Sequence, residues 1–374
     1  MDRIQQYIAD HIEEIIEDIK YIVEADSPSS DKQLADRCGE RIQELYRRRL
    51  GCTARVIEEE EYGNHLRFEY GTGDKKLLLL SHFDTVWNKG ALSVREEGNR
   101  IYGPGILDMK SGLVQAVWAL KACKDLGIPL NKKIIHVCTS DEEIGSPSAR
   151  EVIMEEAKGA MCALVTEPPV EKTGDLKTCR KGSARYFVHI HGKAAHSGNH
   201  HDEGVSAIKE AAEQIIYLES LTNYDKGTTI NVGAMEGGGK LNVVADSATL
   251  GVDVRTETEE EQERIDHLME ELAPHSEGVK LEVEGGIMRP PMLRTESTGE
   301  LFEHARKVAE ELGIRIGEAA VGGGSDGNFT ASMGIPTLDG LGAAGSGMHA
   351  KNEHIVKDQI PFRTALLGKL IVSL

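Results

Sequence analysis

The 374-residue chain has no apolar run approaching the roughly 20 residues that a membrane-spanning helix requires. It also lacks the unbroken apolar centre of a signal peptide near its start. Ile4, Ile8, Ile12, Ile15, Ile16 and Ile19 recur there at helical spacing among acids, which predicts one amphipathic helix over residues 1–24 packed on a domain. Positive charge is scarce: 43 Lys and Arg stand against 62 Asp and Glu, a net charge of −19. Nucleic acid and anionic membrane surfaces would both be repelled by that averaged field and are excluded as partners, although a local basic pocket can still serve a substrate. No C-x-x-C pair occurs among Cys38, Cys52, Cys123, Cys138, Cys162 and Cys179. Scattered in a chain this size, they read as reduced packing residues rather than staples or a zinc ribbon, which places the protein in a reducing cytoplasm. The glycine-rich stretch Gly322-Gly323-Gly324-Ser325-Asp326-Gly327 has no Gly-Lys-Ser/Thr ending and lies far from any first strand of a nucleotide fold, so a phosphate cradle is excluded. There is no internal repeat and no low-complexity tract.

What is present begins with Leu77-Leu78-Leu79-Leu80-Ser81-His82-Phe83-Asp84-Thr85, a continuous apolar run that stops at an imidazole and a carboxylate. Four leucines in a row suit a strand buried on both faces, and open α/β sheets bind ligands beyond the carboxyl ends of such strands. His82 and Asp84 share strand parity, so the carboxylate can orient the ring; a satisfied core histidine is the plain alternative. The same ending recurs. Residues 133–139 form an apolar strand followed by Asp141-Glu142-Glu143, and residues 161–165 another followed by Glu167-Pro168-Pro169. Asp108 lies in a turn-rich loop over residues 101–112, at the start of a helix over 111–126. Singly, these are a solvated charge run and a helix cap. Together they deliver His82, Asp108, Glu142, Glu143 and Glu167 toward one sheet edge.

From about residue 173 the texture changes to alternating, half-exposed strands over 177–190, 228–235, 243–255 and 279–284, with helices over 205–219 and 259–272. That is a β-α-β-β-α-β order, and it predicts a smaller α+β domain over 173–286 interrupting a discontinuous α/β domain of 1–172 and 287–374. The larger domain is expected to hold a mixed, largely parallel sheet covered by helices.

Carboxylates and histidines at strand ends, with no nucleophile motif, suit a metal site with nitrogen and oxygen donors and a position left for water. Two ions about 3.5 to 4 Å apart need a bridging carboxylate. His82, Asp108, Glu143, Glu167 and the late His349 are the available set, and Glu142 beside them can serve as general base.

Six motifs in order across nearly the whole chain carry a resemblance. They are Ser81-His82-Phe83-Asp84-Thr85-Val86, the stretch from Gly103 to Gly112, Asp141-Glu142-Glu143-Ile144-Gly145-Ser146, Glu167-Pro168, Ala195-His196-Ser197-Gly198 and His349. The chain resembles the dinuclear-zinc metallopeptidase family of glutamate carboxypeptidases, aminoacylases, acetylornithine deacetylase and succinyl-diaminopimelate desuccinylase. The resemblance implies a zinc-exopeptidase-like catalytic domain with a lid domain, through which a homodimer is expected. It implies two divalent ions per subunit, zinc first with cobalt or manganese also accommodated: Asp108 as the bridge, His82 and Glu167 on one ion, Glu143 and His349 on the other. It makes Glu142 the base for a bridging water, Asp84 the partner that sets His82, His196 a stabiliser of the oxyanion, and the peptide after Asp108 cis. Asn242 and Arg255 would grip a substrate carboxylate, with Arg289 and Lys181 assisting, although a surface charge or internal ion pair explains those last two equally well. Ser325 and Asp326 would line the cleft, and His200 and His201 read as solvent-facing loop residues. The Gly340 to His349 loop and the Asp108-Met109 pair resemble the glutamate carboxypeptidase branch. The expected reaction is therefore removal of a carboxyl-terminal residue from a small peptide or N-acyl amino acid. The alternatives are a deacylase or desuccinylase of an amino-acid intermediate, and a catalytically silent binding protein on the same fold.

Overall fold

In the computed structural model, which describes residues 2–374, Leu77 to Leu80 are buried in the strand Lys76–His82. This strand is central, parallel to Lys133–Thr139 on one side and Ala160–Val165 on the other. Its leucines alternate between faces, as the two-residue period of a strand requires. Leu77 and Leu79 join the core beneath the helices Lys32–Leu50 and Ser111–Asp125, while Leu78 and Leu80 pack with Ile153 of Ala149–Ala157 and with Phe329. The six-stranded sheet runs Arg55–Ile57, His65–Tyr70, Lys133–Thr139, Lys76–His82, Ala160–Val165, Thr337–Leu338. Only His65–Tyr70 runs against its neighbours. The α/β class with a mixed, largely parallel sheet covered by helices is therefore as expected.

Several elements differ from the sequence expectation. The helix over residues 1–24 is two, Arg3–Asp10 and Ile12–Val23, because the backbone leaves helical values at His11, whose ring stacks on Tyr7. The strand expected over 177–190 is also two. Leu176–Arg180 pairs with Glu318–Val321, and Gly182–His191 belongs to a separate sheet. The loop over 101–112 contains Arg100–Tyr102, which joins Arg95–Glu97, His354–Val356 and Gly345–Ser346 in a four-stranded sheet of very short strands. Strands of two or three residues leave too little periodicity to be read from sequence.

The chain divides into two compact units. The first comprises residues up to Cys179 with Arg294–Val321 and Ser325–Leu374, and the second Arg180–Leu293 with Gly322–Gly324. In the second, Gly182–His191, Ala207–Ser220, Thr229–Gly237, Ser247–Thr256, Glu259–Glu270 and Lys280–Arg289 follow the β-α-β-β-α-β order. The four strands are antiparallel, in the spatial order Thr229–Gly237, Ser247–Thr256, Gly182–His191, Lys280–Arg289. Ala248, Leu250, Val252 and Val254 alternate inward against Ala211, Leu218, Ile265 and Met269 of the helices. Among the described residues, no helix is long and apolar enough to cross a membrane.

Candidate metal centre

The first unit brings the strand-end residues together. His82 closes its strand with the ring buried, and its Nε2 lies 3.1 Å from Asp108 Oδ1 and 3.5 Å from Glu167 Oε1. The other oxygen of Asp108, Oδ2, lies 3.2 Å from His349 Nε2, which is also 3.2 Å from Glu143 Oε2. One carboxylate thus faces two imidazoles, each with a further carboxylate beside it. Ligand atoms of His82, Asp108 and Glu143 fall within 4.8 Å of one another, as do those of His82, Glu142 and Glu167. Nitrogen and oxygen donors in this density fit divalent metal ions. Glu142, expected as a base, is thus also close enough to join a donor group.

Each donor has a local cause. Asp108 sits in the irregular turn Ile106–Lys110 that feeds the helix Ser111–Asp125, and the peptide between Asp108 and Met109 is cis. His349 adopts a left-handed backbone (φ 57°), uncommon for a residue with a side chain and characteristic of functional turns. Of the three consecutive acids, Asp141 turns away: its Oδ2 accepts from Ser148 N–H, Ser148 Oγ–H and Ala149 N–H, capping the helix Ala149–Ala157. The backbone N–H groups of Glu142 and Glu143 instead donate to Asp84 Oδ1 and Oδ2, each at 3.1 Å. Asp84 Oδ1 also lies 3.3 Å from His82 Nδ1, and Ser29 Oγ–H donates to Oδ2 at 2.7 Å. Asp84 thus ties the Glu142-Glu143 turn to the end of the central strand, and its backbone oxygen lies nearer to His82 Nδ1, at 3.1 Å, than its carboxylate does.

The electrostatics are those of crowded acids that a cation would relieve. Burial disfavours a charged His82, but hydrogen bonds to Asp108, Asp84 and Glu167 hold its pKa well above the ordinary value. Asp108 and Glu143 raise His349 to about 10. Burial pushes the Glu143 carboxyl up to about 7 despite His349. Asp108 is held low against its burial by His349 and His82.

Most of the remaining expected residues lie in the second unit. His196 is exposed, and its Nδ1 accepts the N–H groups of Gly198 and Asn199, each at 3.1 Å, which in the neutral ring leaves the proton on Nε2. Asn242 is brought beside it: Ser197 N–H donates to Asn242 O at 3.1 Å, and His196 bridges Val243. Arg255 is held by Asp253, with Nε–H and Nη2–H donating to its two carboxylate oxygens at 2.8 and 3.0 Å. Lys181 Nζ donates to Gly227 O at 2.7 Å. Arg289 is buried, and its carbonyl accepts from Gln262 Nε2 at 2.8 Å. In the first unit, Ser325 Oγ–H donates to Asp339, and Asp326 accepts from Thr139 and Ser146. His200 and His201 are exposed. The sequence reading assigns no part to Ser29 or to the buried Glu353, because no spacing links either to a strand end.

The model of peptidase family M20/M25/M40 matches residues 78–373. Carboxypeptidase G2 of Pseudomonas sp. (strain RS-16) is 34% identical over 313 residues, covering 81% of this chain and 75% of that protein. A succinyl-diaminopimelate desuccinylase of Nautilia profundicola is 27% identical over 330 residues, covering 82% of this chain and 86% of its own. An M20 family metallo-carboxypeptidase from Sulfolobus solfataricus shares the fold, with a TM-score of 0.79 at 18% identity over 96% of this chain and 98% of that one. The chain belongs to peptidase family M20/M25/M40, as a dinuclear metal-dependent peptidase or amidohydrolase.

Proposed function

We propose that the chain hydrolyses the amide bond next to a free carboxylate, releasing the carboxyl-terminal residue of a small peptide or the amino acid of an N-acyl amino acid. The observation that carries this reading is Asp108, whose two oxygens lie 3.1 Å from His82 Nε2 and 3.2 Å from His349 Nε2. In this reading His82 and Glu167 would hold one divalent ion together with Asp108, and Glu143 and His349 would hold the second. The donors suit zinc and also accept cobalt or manganese. When bound, the ions lower the pKa of water and polarise the substrate carbonyl.

Glu142 accepts a proton from the attacking water at its carboxylate. It passes that proton to the nitrogen of the leaving amine as the C–N bond breaks, and ends the cycle ionised. Asp84 holds the Glu142-Glu143 turn in place throughout. His196, from the same subunit or across the proposed dimer, donates its Nε2–H to the carbonyl oxygen as negative charge builds there. Asn242 and Arg255 hold the substrate carboxylate, assisted by Arg289 and Lys181. The guanidinium of Arg255 already pairs with a carboxylate, so a substrate would compete with Asp253 for the same planar fork. The second unit is proposed as the lid and as the surface of a homodimer, an idea supported by the edge strand Thr229–Gly237, which is largely exposed. The buried thiols Cys38, Cys123, Cys138 and Cys162 suit the cytoplasm.

Similarity to a carboxypeptidase supports the exopeptidase reading, and similarity to a desuccinylase supports the second, removal of an acyl group from an amino-acid intermediate. A turnover screen of dipeptides, N-acyl amino acids and their carboxamide twins, with zinc, cobalt or manganese supplied, tests both. Hydrolysis of the free acids and not of the carboxamides is expected. Tight binding without turnover would return the silent binding protein. Glu142→Gln is expected to keep both ions and lose about 10²- to 10⁴-fold in kcat; substantial retained turnover would remove Glu142 as the base.

A further inference from the structure

Glu353 is a carboxylate with 1% exposure, buried beside the turn that presents Asp108. Its Oε1 accepts the backbone N–H of Leu107 at 2.9 Å and of Asp108 at 3.2 Å. Its Oε2 accepts the indole N–H of Trp87 at 2.7 Å and the backbone N–H of Gly105 at 3.2 Å. Every one of these partners can only donate. The pocket is therefore built for a carboxylate, since an amide of the same shape would have to aim its NH2 at one pair of donors or the other.

The segments joined in this way all belong to the metal centre. Trp87 follows His82 and Asp84, with its own N–H on Thr85 Oγ1 at 3.3 Å. Gly105, Leu107 and Asp108 form the turn of the bridging carboxylate. Glu353 itself closes the turn that carries His349. Its N–H donates to Ala350 O at 2.8 Å, and Ala350 N–H donates to Gly347 O at 2.9 Å. The adjoining strand His354–Val356 then pairs with Arg100–Tyr102, the strand that leads into the Asp108 turn.

We propose that Glu353 is a positioning residue of the metal centre, which sets the Asp108 carboxylate between His82 and His349 by accepting hydrogen bonds from the Asp108 turn and from Trp87. The inference rests on the reading of Asp108 as the group shared by two ions. Because Asp108 is common to both, a shift of its backbone moves both of its oxygens, and loss of Glu353 weakens both ions rather than one. A merely structural carboxylate would lower the melting temperature and leave the affinities of the folded protein unchanged.

The test is calorimetric titration of the metal-free full chain with zinc, alongside the visible spectrum of the cobalt form. Wild type is expected to take two ions. Glu353→Gln is expected to bind both about 10- to 100-fold more weakly, with an altered cobalt spectrum. Adding Trp87→Phe to Glu353→Gln removes one of the two donors on the Oε2 side and so gives the amide NH2 a place to point away from the Asp108 turn, and the double variant is expected to bind metal more tightly than Glu353→Gln alone. Wild-type affinities and spectrum in Glu353→Gln, whatever its melting temperature, would overturn the proposal, as would a double variant no tighter than the single. If Glu353→Gln does not fold, Trp87→Phe alone decides: a several-fold weakening supports the proposal and unchanged affinity overturns it. A wild-type protein that takes only one ion would instead overturn the bridging role of Asp108, and the inference with it.

Discussion

Asp84 shows how much of the site depends on single hydrogen-bond acceptors. Its two oxygens receive the N–H groups of Glu142 and Glu143 and the hydroxyl of Ser29, with His82 Nδ1 3.3 Å away. Asp84→Asn replaces one acceptor with a donor facing donors. It is expected to weaken metal binding about 10- to 100-fold and to cost about 1 to 3 kcal/mol of stability. Metal titration and denaturant midpoints measure the two effects, and wild-type values for both would deny Asp84 its tying role. His136 gives a pH dependence. It lies within the strand Lys133–Thr139, with Nδ1 on Tyr46 Oη and Nε2 2.7 Å from Ser81 Oγ, and burial pushes its pKa down to about 3. The folded state keeps this ring neutral, whereas the unfolded chain protonates it near pH 6.5. The unfolded state therefore binds more protons between those values. Stability from this residue is fully present above about pH 6.5 and falls with decreasing pH toward 3, by up to about 1.4 kcal/mol per unit. His136→Gln should accordingly lose about 2 kcal/mol less than wild type between pH 7 and 5. Equal losses in denaturant midpoints would show that His136 does not carry this dependence.

At the scale of elements, the approach of the helix Ser111–Asp125 to the sheet decides the distance between two donors. A Cβ at Gly112 would lie 2.0 Å from the carbonyl oxygen of Thr166, a backbone atom that cannot swing aside. Asp108 precedes this helix, and Glu167 follows Thr166. Gly112→Ala is expected to destabilise by about 1 to 3 kcal/mol and to weaken metal binding by moving Asp108 away from Glu167. A folded variant with unchanged metal affinity would show that the helix start does not set this separation. The long elements were legible in the sequence, because Leu77 to Leu80 and Ile134, Ile135, Val137 and Cys138 make largely apolar runs of strand length. The break at His11 was not, because apolar spacing continues across it and only backbone geometry interrupts it; the division between Leu176–Arg180 and Gly182–His191 was not, because it is set by which strands each segment pairs with. The chain Asp141-Glu142-Glu143 was legible as a cluster of acids. That Asp141 would cap a helix while its two neighbours turned to Asp84 depends on how the turn is folded.

For the molecule as a whole, the metal centre and the stability of the first unit should be linked. Asp108, Glu142, Glu143 and Glu167 lie in one cluster of a chain with net charge −19. A ligand that binds only the folded state stabilises it by about 2.7 kcal/mol at 100 times its Kd. Chelation with EDTA is expected to lower the melting transition of the first unit and added zinc, cobalt or manganese to raise it. The second unit, with its own core around Leu250, Val252 and Met269, should melt at an unchanged temperature. A calorimetric profile insensitive to both EDTA and metal would sever the proposed link. The sequence by itself determined the fold class and delivered His82, Asp108, Glu142, Glu143 and Glu167 to element ends, because apolar periodicity and the residues that interrupt it are local properties. Tertiary structure alone decided that His349 meets Asp108, through the pairing of His354–Val356 with Arg100–Tyr102. It alone decided that Asp84 and Glu353 receive the N–H groups of the donor turns. A buried acceptor and its donors are joined by packing across distant segments, and such a pairing leaves no period in the sequence.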